Sequence, residues 1–117
     1  MNVLYVEDDE IAAHIGISML KLFDEVSFVH AGTGYKALEL FTPDTFDVLL
    51  VDLGLPDISG VELVQMIKEQ HQVCPPVIAI TAHINPNDDC PPGISRVYAK
   101  PLTYELIQEV LNYYHYN

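Results

Sequence analysis

Two apolar runs in this chain end in acids. Val3-Leu4-Tyr5-Val6 leads into Glu7, Asp8, Asp9 and Glu10, and Phe46-Asp47-Val48-Leu49-Leu50-Val51 ends at Asp52. Unit charges about 4 Å apart repel by roughly 4 kcal/mol at an effective dielectric near 20, so three clustered carboxylates call for a bound cation or a raised pKa. All the donors are oxygens, which suits a hard divalent metal. Two later runs end in other chemistry. Val77-Ile78-Ala79-Ile80 stops at Thr81, and Arg96 to Ala99 stops at Lys100, adding a hydroxyl and an ammonium to the acids.

These residues share a site only if the elements behind them place their ends together. Short apolar tetrads read as strands buried on both faces, and here they alternate with segments of helical period, which favours an α/β fold with crossover helices. The first helix carries Ile11, Ile15, Ser18, Met19 and Leu22 at helical spacing, expected as its buried stripe, with Asp9 or Glu10 at its positive end. Val26 to His30 makes a second strand. Gly32 and Gly34 punctuate the turn into a short helix bearing Ala37, Leu38 and Phe41.

The third strand ends at Asp52 and enters Leu53-Gly54-Leu55-Pro56-Asp57-Ile58-Ser59-Gly60, a loop with the backbone freedom to pass close to a ligand. Ser59 is positioned to cap a third helix with Val61, Val64 and Ile67 on its stripe, Glu62 in its first turn and Lys68 near its end. Val77 to Thr81 is the fourth strand. His83 to Gly93 contains three prolines and no apolar period, so it reads as loop. Arg96 to Ala99 is the last strand, followed by a helix with Leu106, Ile107, Val110, Leu111 and Tyr114 on one stripe. In a parallel sheet ordered 2-1-3-4-5 the strand order reverses between strands one and three, and ligands bind outside the carboxyl ends at such a point. Glu7, Asp8, Asp52, Thr81 and Lys100 would then surround one cleft.

Bulk properties narrow the classes. The chain has 117 residues, half of them hydrophobic, and shows neither repeat nor linker, which indicates one domain over residues 1–117. Seventeen acids against five bases give a net charge of -12, a field that repels phosphate backbones and anionic membrane surfaces, so direct nucleic-acid binding is not expected. No apolar stretch approaches the roughly 18 residues of a membrane span, and no basic n-region opens the chain. Cys74 and Cys90 lack zinc or redox spacing, as in a reduced, cytoplasmic protein. A zinc set drawn from His71, Cys74, His83 and Cys90 fits no standard pattern.

Several short motifs now combine. Val6-Glu7-Asp8, Leu50-Val51-Asp52 with Leu55-Pro56 and Gly60, Ile80-Thr81-Ala82, and Lys100-Pro101 occur in this order, each at a strand end. With them the chain resembles, over nearly its whole length, the receiver domain of two-component response regulators, also found in hybrid histidine kinases. The resemblance implies a flavodoxin-like doubly wound sheet of five parallel strands. It also implies that Asp52 accepts a phosphoryl group from the phosphohistidine of a histidine kinase or a histidine phosphotransfer domain. Glu7, Asp8, Asp52 and the carbonyl of Gly54 would hold Mg²⁺, Thr81 would donate to the phosphoryl group, and Lys100, before a cis peptide, would pair with its oxygens. Such a domain assists its own phosphorylation and is not a turnover enzyme. The resemblance also places His83 where access of the hydrolytic water is tuned.

The chain departs from that family between Thr81 and Lys100. The interval is short and Pro-rich, so the usual fourth helix is expected to be short or replaced by loop. Val97 stands where an aromatic switch residue is usual, and strand alternation sends Tyr98 to the opposite face. Phosphorylation would then be read by an output partner, which the sequence does not identify, through the remodelled loop 82–95. Two other classes compete. A degenerate receiver would act as a non-phosphorylated binding module, and an aspartate-nucleophile hydrolase would need a second acid where Gly54 stands.

Overall fold

A computed structural model describes residues 1–82 and 90–114 of the chain. Strands β1 (Asn2–Val6), β2 (Ser27–Ala31), β3 (Val48–Asp52), β4 (Val77–Thr81) and β5 (Arg96–Ala99) form one parallel sheet in the order β2-β1-β3-β4-β5. Helices α1 (Glu10–Leu20), α2 (Gly34–Leu40), α3 (Gly60–His71) and α4 (Tyr104–Tyr114) cover it, giving the doubly wound, flavodoxin-like arrangement expected from the sequence. Among the described residues no helix lies between β4 and β5. His83 and most of the Pro-containing loop lie outside the described residues.

Strand alternation divides the core in two. Leu4, Val6, Leu49, Val51, Val77 and Ala79 pack with Ala37, Phe41, Leu63, Val64 and Ile67 from the α2 and α3 side. Val3, Tyr5, Val48, Leu50, Ile78 and Ile80 pack with Leu20, Leu106, Ile107, Val110 and Leu111 from the α1 and α4 side. Every residue of β3 is buried, as a central parallel strand requires. Val97 packs against the first core and Tyr98 against the second, so the two do point to opposite faces.

Helix α3 follows its sequence closely. The Ser59 hydroxyl accepts from the Glu62 amide at 3.1 Å, which satisfies one of the helix's first donors. Leu63, Val64 and Ile67 are buried, and Val61 is half-buried. Lys68 and His71 occupy the last turn, where the helix dipole favours cations.

Helix α1 begins as expected and then departs. The Asp9 carboxylate accepts from the amides of Ile11 (2.9 Å) and Ala12 (3.1 Å), making Asp9 the cap and Glu10 a first-turn charge. The expected stripe, however, is not the buried one. Ile11 and Ile15 are exposed, as are Ser18 and Leu22; of the stripe Met19 alone packs half-buried on the core, and the helix instead buries Ala13, Gly16 and Leu20. The cause is Tyr5, whose ring stands on the sheet beneath α1. A Cβ on Gly16 would lie 2.2 Å from the Tyr5 hydroxyl oxygen, so the helix can dock only with a face of small residues there.

Candidate functional site

Parallel register brings the strand exits to one rim. Val6 pairs with Val51, Asp52 with Ile80, and Thr81 with Ala99, so Glu7, Asp52, Thr81 and Lys100 emerge side by side. Glu7 and Asp52 are the buried charged residues of the described chain, 3% and 7% exposed. Such burial is costly unless the charges are paired. Lys100 supplies the pairing. Its Nζ lies 2.8 Å from Glu7 Oε1 and 3.0 Å from Asp52 Oδ2. The Lys100–Pro101 peptide is cis.

Each remaining carboxylate oxygen also finds a donor. The Gly54 amide donates to Asp52 Oδ1 at 3.0 Å, and the Asp9 amide donates to Glu7 Oε2 at 3.3 Å. The two acids respond differently. Burial pushes Glu7 up, Lys100 opposes that, and the neighbouring Asp52 adds to it, leaving Glu7 at about 7. Burial also pushes Asp52 upward, but hydrogen bonds from Glu7, the Gly54 amide and Lys100 outweigh it and hold Asp52 below its ordinary value. For Lys100, burial favours the neutral amine, yet Glu7 and Asp52 more than compensate and raise its pKa.

Asp8 is exposed beside this pair, and Glu7, Asp8 and Asp52 each present an oxygen within 4.8 Å of the others. A set of carboxylate oxygens fits Mg²⁺, which takes hard oxygen donors and few protein ligands. Among the described residues this is the cluster of three or more side chains able to ligate a metal. Gly54 lies in the loop over Asp52, held by its own amide. Thr81 closes β4 half-buried, with its carbonyl accepting from the Lys100 amide at 2.8 Å. His83 lies outside the described residues, while Cys74 and Cys90 are free thiols.

Three further residues shape the site and were not singled out by sequence. Tyr5 forms a wall of a groove of about 220 Å³ that also touches Glu7, Ile11, Ile15, Lys100 and Leu102. Its hydroxyl donates to the Ala12 carbonyl at 3.4 Å, and burial, with Glu7 and Asp52 nearby, holds the phenol protonated. Asp57, in the loop after Asp52, reaches across to accept from the amides of Gly34 (3.0 Å) and Tyr35 (2.8 Å), so that this loop helps to cap α2. His30 Nε2 lies 2.9 Å from the Glu7 carbonyl oxygen. The partners of Asp57 and His30 lie more than 20 residues away in sequence, so no local pattern announces them.

The comparisons with known proteins agree in kind. The family described as the response regulator receiver domain matches residues 3–112. Aerobic respiration control sensor protein ArcB of Escherichia coli is 34% identical over 108 residues, 88% of this chain and 14% of that protein. The chain thus spans about one seventh of that relative's length. A CheY-like receiver domain from Methylobacillus flagellatus superposes with a TM-score of 0.82 at 22% identity, covering 97% of each chain. The response regulator TrrA of Thermotoga maritima, solved in complex with Mg²⁺ and BeF, gives a TM-score of 0.75 at 20% identity, covering 96% of each chain.

Proposed function

The chain belongs to the response regulator receiver domain family of two-component signalling, and from that premise we propose that Asp52 is its phospho-acceptor. The donor is the phosphohistidine of a histidine kinase or histidine phosphotransfer domain, and phosphorylation changes the chain's interaction with an output partner. One observation carries the reading. Asp52 is a buried carboxylate with a lysine ammonium 3.0 Å from one oxygen and a backbone amide 3.0 Å from the other.

Phosphoryl transfer asks for in-line positioning and charge neutralisation more than for covalent help. An Asp52 oxygen forms the new P–O bond while the P–N bond to the imidazole breaks, and its electron pair stays on the departing nitrogen. Lys100 leaves the Asp52 oxygen and follows the charge onto the phosphoryl oxygens. Thr81 donates its hydroxyl to another of them. Glu7, Asp8, Asp52 and the Gly54 carbonyl are the residues that would hold Mg²⁺, which when bound supplies charge neutralisation while retaining several waters. Mg²⁺ would be held by the carboxylate form of Glu7, so the burial that raises the Glu7 pKa would oppose metal binding as pH falls. The chain serves as a relay receiver and not as a turnover hydrolase.

The test is intact mass after incubation with a small phosphodonor and Mg²⁺. The wild type gains one phosphoryl group, and Asp52→Asn gains none. A wild type that stays unmodified while a known receiver is phosphorylated in parallel would indicate a degenerate binding module. Continuing phosphate release from unrelated monoesters would indicate a hydrolase.

A further inference from the structure

Pairing of β1 ends at Val6, which lies opposite Ala31 and Val51. One more ladder-type bond follows, from the Glu7 amide to the Ala31 carbonyl at 3.1 Å, and the chain then leaves the sheet for α1 at Glu10. The peptide joining Glu7 to Asp8 therefore sits at the point where sheet geometry stops dictating the backbone. Its orientation fixes ψ of Glu7 and φ of Asp8, the dihedrals that direct the chain, and with it the Asp8 side chain, as it leaves β1. Glu7 is held in addition by Lys100 and the Asp9 amide, whereas Asp8 is exposed and takes its direction from the backbone.

His30 grips this peptide. Its Nε2 lies 2.9 Å from the Glu7 carbonyl oxygen, and because a carbonyl only accepts, Nε2 carries the proton in that bond. The ring is itself supported. His30 pairs with Tyr5 across β1 and β2, and their rings lie 5.7 Å apart at 47°, so the buried Tyr5 limits the positions His30 can take. A side chain on β2, a strand that contributes none of the proposed ligands, thus reaches over to the exit of β1.

We propose that His30 is a positioning residue for the acid end of the site, holding the Glu7–Asp8 peptide so that the two carboxylates converge on Mg²⁺. The proposal rests on the Mg²⁺ reading given above. Groups that orient ligands without touching the metal tune affinity through preorganisation, and a single neutral hydrogen bond of this kind corresponds to a roughly 3- to 10-fold effect.

The experiment is a calorimetric Mg²⁺ titration of the full chain as wild type, His30→Leu, His30→Asn and His30→Gln, with the Asp8 amide resonance recorded in the metal-free protein. Glutamine places its amide nitrogen near the position of Nε2, and asparagine stops short of it. The expected result is Mg²⁺ affinity lowered about 3- to 10-fold in His30→Leu and His30→Asn and restored to within about twofold in His30→Gln. In the absence of metal the Asp8 resonance should move in the first two variants and stay near its wild-type position in the third. Phosphorylation at saturating Mg²⁺ should change less than affinity does. Wild-type affinity in His30→Leu overturns the proposal, as does a His30→Gln protein no better than His30→Asn. If His30→Leu does not fold, the asparagine and glutamine pair carries the same decision. A wild type that binds no Mg²⁺ overturns the metal reading itself and the proposal with it, a result distinct from metal binding that ignores residue 30.

Discussion

The β1–α1 and β3–α3 units perform the same task by different construction. Each carries a carboxylate out of a buried strand and then enters a helix capped by a polar side chain, Asp9 in one and Ser59 in the other. The β3–α3 unit interposes a seven-residue loop, and its helix buries Leu63, Val64 and Ile67. The β1–α1 unit turns almost directly into its helix, buries Ala13, Gly16 and Leu20, and leaves Ile11 and Ile15 on the surface beside the site groove. One helix is thus secured by its large side chains. The other is secured by Leu20 and by close approach over Tyr5, which leaves Ile11 and Ile15 to line the rim.

The comparison can be broken or sharpened at several places. The largest effect is expected at the tip of β3, where Asp52→Asn should abolish phosphoryl uptake by intact mass while Asp8→Asn at the tip of β1 weakens Mg²⁺ dependence and leaves residual uptake at high Mg²⁺. Equal, complete loss in both would make the two tips equivalent. Next in size is the helix interior. Leu63→Ala should cost about 2–5 kcal/mol in urea unfolding, as truncation in a packed core does, whereas Ile11→Ala should stay within about 0.5 kcal/mol, as at an exposed position. Similar costs for the two would erase the distinction between the helices.

An intermediate effect is expected from Gly16→Ala, which crowds the Tyr5 ring and should cost about 1–3 kcal/mol. Adding Tyr5→Leu should return part of that loss in a double-mutant cycle, and purely additive costs would contradict the steric account. A pH effect of about 2 kcal/mol is expected from Glu7, whose side chain rests at about 7 against an ordinary value of 4.5. Between those values the folded chain keeps a proton that the unfolded chain has lost, so stability without metal should fall as pH rises through that window. Urea midpoints at pH 5 and pH 7.5 measure this, and Glu7→Gln should flatten the difference. Smallest are the caps, where Asp9→Ala and Ser59→Ala should each cost about 1 kcal/mol, with comparable values confirming that the two helices begin alike and differ only in what they bury.

Much of this was legible in the sequence. Apolar tetrads ending in Asp52 or running into Glu7 give strands and exits directly, and the alternation of elements gives a parallel sheet whose rim gathers them. The placement of Glu7, Asp8, Asp52 and Lys100 in one cluster follows from register, which strand-end motifs encode. The inward face of α1 was not legible, because Ile11 and Ile15 are more apolar than Ala13 and Gly16, and hydrophobicity cannot report a face chosen by steric fit. Nor were His30 and Asp57, whose partners are set by tertiary approach. Of the prolines that argued for loop after Thr81, Pro86 lies outside the described residues, as does His83, while Pro91 and Pro92 are described and lie in no helix.

The close approach of Gly16 to Tyr5 also constrains how this protein can change over generations. A ring at position 5 and a missing side chain at position 16 form a single volume divided between two sites, so neither is free to drift alone. Any descendant that acquires a side chain at 16 must first, or simultaneously, surrender the ring at 5. With the ring would go the support of His30 and a wall of the site groove, so a change in a helix far from Asp52 in sequence would be inherited as a change in the active rim.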